Sequence, residues 1–271
     1  MPRSFPDRYG KWAVVAGASE GFGAAFAAQL AERGMHLVLI ARRGHLLTAL
    51  AERLSSEYAV EVRCLALDLA EPASAGALAE AVAELDLGVL IYNAAHIPLG
   101  PFLEAEDDAV DGVVDLNVRG PLRLLRALVP GMCERGRGAV VLVSSLSGLV
   151  GTPHVSVYAA SKAFNVVLAE GLWWELRAHG VEVAACLAGA MRTPGYVRSF
   201  NRDVPGMLSP NEAARRTLDG LGRGPRIVPG LINRLSAQLM GRLLPRQTAI
   251  RLIARNTMHI EAPGAGGEET R

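Results

Sequence analysis

Residues 12–23 run Trp12-Ala-Val-Val-Ala-Gly17-Ala-Ser-Glu-Gly21-Phe-Gly23. Trp12–Ala16 is long enough for one strand, and an apolar run without polar alternation suits a strand covered on both faces. Glycines follow at 17, 21 and 23. Ala24–Arg33 then carries Ala25, Phe26 and Leu30 at helical spacing, and Gly34 closes the segment. A strand, a glycine-rich turn and a helix in that order make a phosphate cradle. Glycine lets the backbone bend sharply and come close to a pyrophosphate, while the first helical turn offers N–H groups that have no partner in the chain. The spacing is GxxxGxG rather than GxGxxG, but the physical requirement is the same. Gly17, Ser19, Glu20, Gly21, Phe22 and Gly23 are therefore candidates for a dinucleotide-binding turn. A tight turn serving packing alone is the alternative.

The same rhythm continues outward. Further strand-like runs are Met35–Ala41, Val60–Leu67, Leu87–Tyr92, Ala139–Val143, Val181–Leu187 and Arg226–Val228, and helix-like segments are His45–Tyr58, Ser74–Leu85, Ala109–Arg135 and Tyr158–His179. Strand and helix in alternation predict an α/β fold: a doubly wound, Rossmann-type parallel sheet of about seven strands with helices on both faces. No repeat or linker divides the chain. Residues 1–258 are expected to form one domain, with 231–258 as a basic helical extension and 259–271 as a disordered tail. Gly195–Ser209, with Gly, Pro and Asn, is expected to be an irregular loop able to cover a site.

The composition is globular. Of 271 residues, half are hydrophobic and a fifth charged, which excludes a disordered tail protein, a collagen-like fibre or a disulfide scaffold. A net charge of +1 gives no sign of a nucleic-acid binder. No apolar run reaches the roughly 18 residues of a membrane-spanning helix. The opening MPRSFPDRYGKW lacks the apolar stretch of a signal peptide. Cys64, Cys133 and Cys186 are scattered without a CxxC pair, which points to reduced thiols and a cytoplasmic location. The histidines have no metal-ligand spacing, so no metal is expected. Among 28 basic residues only Lys11 and Lys162 are lysine. Where lysine persists, a compact ammonium is the property arginine cannot supply.

Two positions select the cofactor. An acid after the second strand would grip ribose hydroxyls, but the chain reads Leu39-Ile40-Ala41-Arg42-Arg43. Arginine there can pair with a 2′-phosphate, which predicts NADP, with Arg42 the stronger candidate and Arg43 the second. Solvated helix-start charges are the alternative.

After the fifth strand come Ser144-Ser145-Leu-Ser-Gly148 and, thirteen residues past Ser145, Tyr158-Ala-Ala-Ser-Lys162. Tyr158 and Lys162, at i and i+4, share a helix face. A free phenol with pKa near 10 is a poor proton-transfer group at neutral pH, and a nearby ammonium lowers that value. Ser145, at the carboxyl end of a strand, can donate to a substrate oxygen as charge builds on it. Asn117 could hold a water that links Lys162 to solvent.

With these residues assembled, the sequence resembles the short-chain dehydrogenase/reductase family over roughly Lys11 to Pro229. Gly17, Gly21 and Gly23 match its glycine turn. Asn117, Ser145, Tyr158 and Lys162 match its catalytic tetrad. The resemblance implies that Asp68 and Leu69 lie beside the adenine, that Asn93 and Ala94 belong to the motif after strand four, that Gly189 and Thr193 belong to the motif after strand six, with Thr193 on the nicotinamide carboxamide, and that Tyr158 and Lys162 also hold the nicotinamide ribose. The opening residues look most like the branch of 3-oxoacyl-CoA reductases and 17β-hydroxysteroid dehydrogenases. Ala16, Tyr92, Ala95 and Ala188 depart from the family pattern; Ala16 loses a hydroxyl that would tie the turn to a neighbouring loop. Enoyl reduction in this family uses a lysine seven residues after the tyrosine, and residue 165 is Asn.

The expected activity is hydride transfer, with NADP(H), between a nicotinamide and a carbonyl or secondary alcohol of a hydrophobic substrate: a ketone, a 3-oxoacyl chain or a steroid-like molecule. A non-catalytic NADP-binding sensor or scaffold is the alternative. Ile97, Leu149, Val150 and Met191 are candidate apolar walls, and His154 a candidate substrate contact. Trp173 and Trp174 suggest an exposed face, and the family pairs that helix across subunits, so a homodimer or homotetramer is expected. Residues 215–255 hold nine arginines against one aspartate, a local charge of +8, with leucines at 231, 235, 239 and 243 and Pro245 ending the helix. The leucine row is expected to pack on the domain or a subunit; lying on an anionic membrane surface is the alternative.

Overall fold

The apolar runs become seven strands in a computed structural model that describes residues 4–199 and 203–257. They are β1 (Trp12–Ala16), β2 (His36–Ala41), β3 (Val62–Ala66), β4 (Leu87–Tyr92), β5 (Gly138–Ser145), β6 (Val181–Ala188) and β7 (Arg226–Ile227). All pair in parallel, in the order β3-β2-β1-β4-β5-β6-β7. The helices are α1 (Phe5–Tyr9), α2 (Gly21–Glu32), α3 (Gly44–Tyr58), α4 (Ser74–Val82), α5 (Asp107–Val114), α6 (Gly120–Glu134), α7 (Ser156–Leu176), α8 (Pro194–Ser199), α9 (Pro210–Asp219), α10 (Leu231–Gln238) and α11 (Arg246–Thr257).

Period-two alternation divides the central strands between two cores. Val15 of β1, Leu37 and Leu39 of β2, and Ile91 of β4 share a core with Phe26 and Leu30 of α2, Leu54 of α3 and Leu218 of α9. Val14, Val38, Ile40 and Leu90 turn to the other face, against Leu78 of α4, Leu124 and Leu128 of α6, and Val166 and Ala169 of α7. Each fully buried leucine or phenylalanine contributes about 1.5–3 kcal/mol. This double burial is why the strands read as continuous apolar runs. Strand order reverses between β1 and β4, so a crevice opens beyond their carboxyl ends.

Three expectations change, and one helix is added. The helical segment Ala109–Arg135 is α5, a π-turn over Asp115–Arg119, and α6, rather than one helix. Gly195–Ser209 is not irregular throughout. Pro194 opens α8, and the Thr193 hydroxyl accepts the Tyr196 amide at 3.1 Å, which supplies a cap. The polar N-terminus forms α1, capped by the Ser4 hydroxyl on the Asp7 amide. The leucine row of residues 231–243 faces outward rather than packing on its own domain. Asn233 takes the buried position instead, donating to the Pro229 carbonyl at 2.8 Å and pressed against Gly189. A four-residue repeat marks a stripe on a helix without saying which way the stripe points. The expected tail, 259–271, lies outside the described residues. Cys64, Cys133 and Cys186 are all unbridged. No helix among the described residues is long and apolar enough to cross a membrane.

Candidate active site

The glycine turn closes against β4. Gly17 has φ +82°, and a Cβ there would sit 2.6 Å from the Ala94 amide nitrogen. A Cβ on Gly23 would sit 1.9 Å from the Gly17 carbonyl oxygen. Hydrogen bonds tie the turn to the β4 loop: the Ala16 carbonyl accepts the Asn93 and Ala94 amides at 2.9 and 3.0 Å, and the Asn93 side-chain amide donates to the Gly17 carbonyl at 2.9 Å. The result is a cradle that any side chain at 17 or 23 would disrupt, which fits a closely approaching pyrophosphate.

A cleft of about 620 Å³ starts at this cradle and runs along the carboxyl edge of the sheet. Gly17, Ser19, Glu20, Gly21, Phe22, Arg42, Arg43, Asp68, Leu69, Asn93, Ala94, Ser145, Tyr158, Lys162, Gly189 and Thr193 all border it. Gly23 and Asn117 stand behind its wall. At one end Arg43 donates to the Ser19 hydroxyl at 2.9 Å and pairs with Glu20 at 3.0 Å, while the mostly exposed Arg42 lies 3.8 Å from the Asp68 carboxylate. Both guanidinium groups are placed to meet an anion, with Glu20 and Asp68 offsetting part of their charge.

At the other end lie Ser145, Tyr158 and Lys162. The Ser145 Oγ accepts from the Ser147 amide (3.2 Å) and the Ser147 hydroxyl (2.9 Å), which leaves its own O–H to donate. Burial pushes the Tyr158 phenol up to about 12, and its hydrogen bond with Ser145 opposes that rise. Burial also pushes Lys162 down to about 8. The ammonium donates to the Val143 carbonyl at 2.8 Å and lies 5.5 Å from the centre of the Tyr158 ring. The expected lowering of the phenol by Lys162 is thus not what the protein's own groups produce. Desolvation outweighs the Ser145 hydrogen bond and sets the direction of the shift.

Asn117 lies in the π-turn with its side chain spent on structure. Its Oδ1 accepts the His96 amide (2.8 Å), and its Nδ2 donates to the His96 carbonyl and the Ser161 hydroxyl, each at 3.0 Å. A π-turn leaves carbonyls without their usual helical donor, and two side chains answer here. The Tyr92 hydroxyl donates to the Leu116 carbonyl at 2.6 Å, and the Asn165 amide to the Asn117 carbonyl at 3.2 Å. Gly120 makes room, since a Cβ there would lie 2.1 Å from the Tyr92 oxygen. Tyr92, Ser147, Ser161 and Asn165 were not among the sequence-derived site residues. Ser161, one residue before Lys162, and Ser147, two after Ser145, were legible as neighbours of the motif; Asn165 showed only as a polar residue inside an apolar helix.

Of the expected apolar walls, Ile97 and Met191 line the cleft, together with Ala95. Val150 is buried, and Leu149 packs against the core. His154 has φ +65° and is not among the lining residues. No group of three metal-ligating side chains occurs among the described residues.

A tyrosine phenol and a serine hydroxyl in the same cleft as a phosphate cradle are what a dehydrogenase or reductase needs. The sequence profile described as short chain dehydrogenase matches residues 11–203. The 7beta-hydroxysteroid dehydrogenase of Clostridium sardiniense is 33% identical over 234 residues, covering 85% of this chain and 90% of that protein. The very-long-chain 3-oxoacyl-CoA reductase of Aspergillus oryzae is 34% identical over 230 residues, but those cover 82% of this chain and only 64% of the reductase. A solved short-chain dehydrogenase from Sphingobium yanoikuyae in complex with NADPH superposes with a TM-score of 0.75 at 31% identity, covering 96% of this chain and 98% of that one. The chain belongs to the short-chain dehydrogenase family and is an oxidoreductase, and these relatives match the branch that its opening motif resembles.

Two outcomes follow from the geometry. Tyr92→Phe leaves the Leu116 carbonyl unpaired and is expected to lower unfolding free energy by about 1–3 kcal/mol in urea titration. The second concerns Lys162, whose pKa is depressed on folding. The unfolded chain then binds more protons than the native protein between about pH 8 and the ordinary lysine value, so stability rises with pH there. The stability of the parent relative to Lys162→Met is therefore expected to increase from pH 8 to pH 10, by at most about 1.4 kcal/mol per pH unit, read from denaturation curves of both proteins.

Proposed function

We propose that this protein is an NADP(H)-dependent reductase of hydrophobic carbonyl compounds: bulky ketones, 3-oxoacyl chains or steroid-like molecules. The reading rests on one observation, the Tyr158 phenol within hydrogen-bonding reach of Ser145 on the wall of the cleft that begins at the glycine turn. Gly17, Ser19, Gly21 and the start of α2 would hold the pyrophosphate, Arg42 and Arg43 the 2′-phosphate, Asp68 and Leu69 the adenine, and Thr193 and Lys162 the nicotinamide half. When bound, the reduced nicotinamide supplies the hydride. Tyr158 gives its proton to the substrate oxygen, and Ser145 donates a second hydrogen bond to that oxygen as it gains charge. Lys162, with Val143 satisfying one of its three donors, keeps two for ribose hydroxyls and carries positive charge where the phenolate forms.

The apolar lining from Ile97 and Met191 supports a hydrophobic substrate. So do the names of the relatives, one acting on hydroxysteroids and the other on very-long-chain 3-oxoacyl-CoA. We also read residues 1–258 as one domain, located in the cytoplasm. An apolar groove between α6 and α7, lined by Leu125, Val129, Leu168 and Leu172 and flanked by exposed Val167 and Trp174, suits a second copy of the chain and hence a homodimer or homotetramer.

Consumption of NADPH is expected with a panel of bulky ketones, and Tyr158→Phe should cut kcat/KM by about 100-fold or more. NADPH binding with no turnover, identical in parent and variant, would instead assign a sensor or scaffold. Replacing Arg42 and Arg43 together by Ala should weaken NADPH about tenfold or more while leaving the KM for NADH nearly unchanged, as measured by initial rates with each cofactor.

A further inference from the structure

The helix α10 and the π-turn that follows it are turned inside out. Leu231, Ile232, Leu235, Leu239, Leu243 and Leu252 are 67, 51, 63, 44, 73 and 43% exposed, and Asn233 is the residue of α10 that is buried. Single exposed leucines are ordinary, but four on one helical stripe, with Ile232 next to the first, form a patch. The helix cannot roll to bury them, because it is fastened in this orientation. Asn233 donates to the Pro229 carbonyl, and a Cβ on Gly189 or Gly206 would meet its amide at 2.7–2.8 Å. The Arg234 Nε donates to the Val228 carbonyl at 3.0 Å, and Arg246 ties the start of α11 to the Leu149 carbonyl at 2.7 Å.

The charge around the patch has one sign. Residues 231–257 contain Arg234, Arg242, Arg246, Arg251 and Arg255 and no Asp or Glu. None of the five is in an ion pair among the described residues, whereas Arg215 and Arg216 pair with Glu212, and Arg226 pairs with Glu170. We propose that α10, the π-turn Leu239–Leu243 and α11 form a docking surface for an anionic lipid bilayer. Leucines would enter the acyl boundary while arginines meet the headgroups, a combination that one amphipathic basic face satisfies at once. A second copy meeting this face symmetrically would set five arginines against five with no acid between them. The surface adjoins the cleft through Asn233 on Gly189, which borders it. A hydrophobic substrate could thus pass from the bilayer to the cleft without crossing bulk water; that benefit rests on the function proposed above, but the docking does not.

The full chain is incubated with phosphatidylcholine vesicles, with or without phosphatidylglycerol, and sedimented. The parent should partition at least about tenfold more strongly onto the anionic vesicles, and added salt should weaken the binding. The double substitution L235E/L239E, and separately R242E/R251E, should each reduce that partition about tenfold or more with far-UV circular dichroism and NADPH binding unchanged. A parent that stays in the supernatant with both vesicle types overturns the proposal. So does equal sedimentation of the parent and both variants. A face that instead joins two copies would show as a change of oligomeric state in L235E/L239E by analytical ultracentrifugation without vesicle binding by the parent, which also overturns it. NADPH oxidation with a water-soluble ketone, run without vesicles, tests the catalytic reading separately, so failure of one leaves the other standing.

Discussion

A primary ammonium that is 3% exposed lies at the edge of the apolar sheet, and the active site is built around keeping it there. Burial disfavours the charge and lowers its pKa. The backbone compensates locally, since β5 brings the Val143 carbonyl to Lys162 and α7 passes close enough for Ser144 to donate to the Lys162 carbonyl at 2.8 Å. Gly148 permits that approach, because a Cβ there would come within 2.8 Å of the Lys162 backbone. A planar guanidinium with five donors could not be satisfied by one carbonyl in this space. In a chain that uses arginine at 26 positions and lysine at two, the survival of lysine at 162 has a physical cause.

The second constraint is the π-turn behind the site. An i→i+5 turn releases carbonyls that a regular helix would satisfy, and a buried carbonyl without a partner is costly. Tyr92 and Asn165 supply the missing donors at Leu116 and Asn117. Tyr92, which departs from the family pattern, therefore does not weaken the scaffold. It works as a pair with Gly120, whose missing side chain makes room for the phenol. Asn117, fixed on both sides by His96 and Ser161, behaves as a brace between the β4 loop and α7 rather than as a group facing the cleft.

The parts of the fold legible in the sequence share one property: their signal is local. Parallel strands buried on both faces must be apolar throughout, so β1, β2 and β4 stood out as runs. The turn at Gly17–Gly23 was legible because only glycine tolerates a carbonyl 1.9 Å from a Cβ position. Tyr158 and Lys162 were legible because a helix places i and i+4 together. What was not legible depended on distant partners. The break at Asn117 needs donors from β4 and α7, and the pKa directions of Tyr158 and Lys162 need the burial that only the finished fold creates. Pairing the two side chains in isolation implies a depressed phenol; the desolvation they share acts the other way.

The C-terminal helices show the same limit in its sharpest form. Leucine every fourth residue implies a stripe, and in an isolated domain each leucine that is left out forgoes about 1.5–3 kcal/mol of burial. The orientation is nevertheless decided by what lies beneath α10. There Gly189, directly after β6, and Gly206 present backbone so closely that the residue above them must be small enough to lie flat and polar enough to answer the Pro229 carbonyl. Asparagine meets both demands and leucine neither. Once Asn233 is seated, the helical period carries Leu231, Leu235, Leu239 and Leu243 to the outside, and a contact made for packing beside the cleft becomes the cause of an apolar, cationic outer surface.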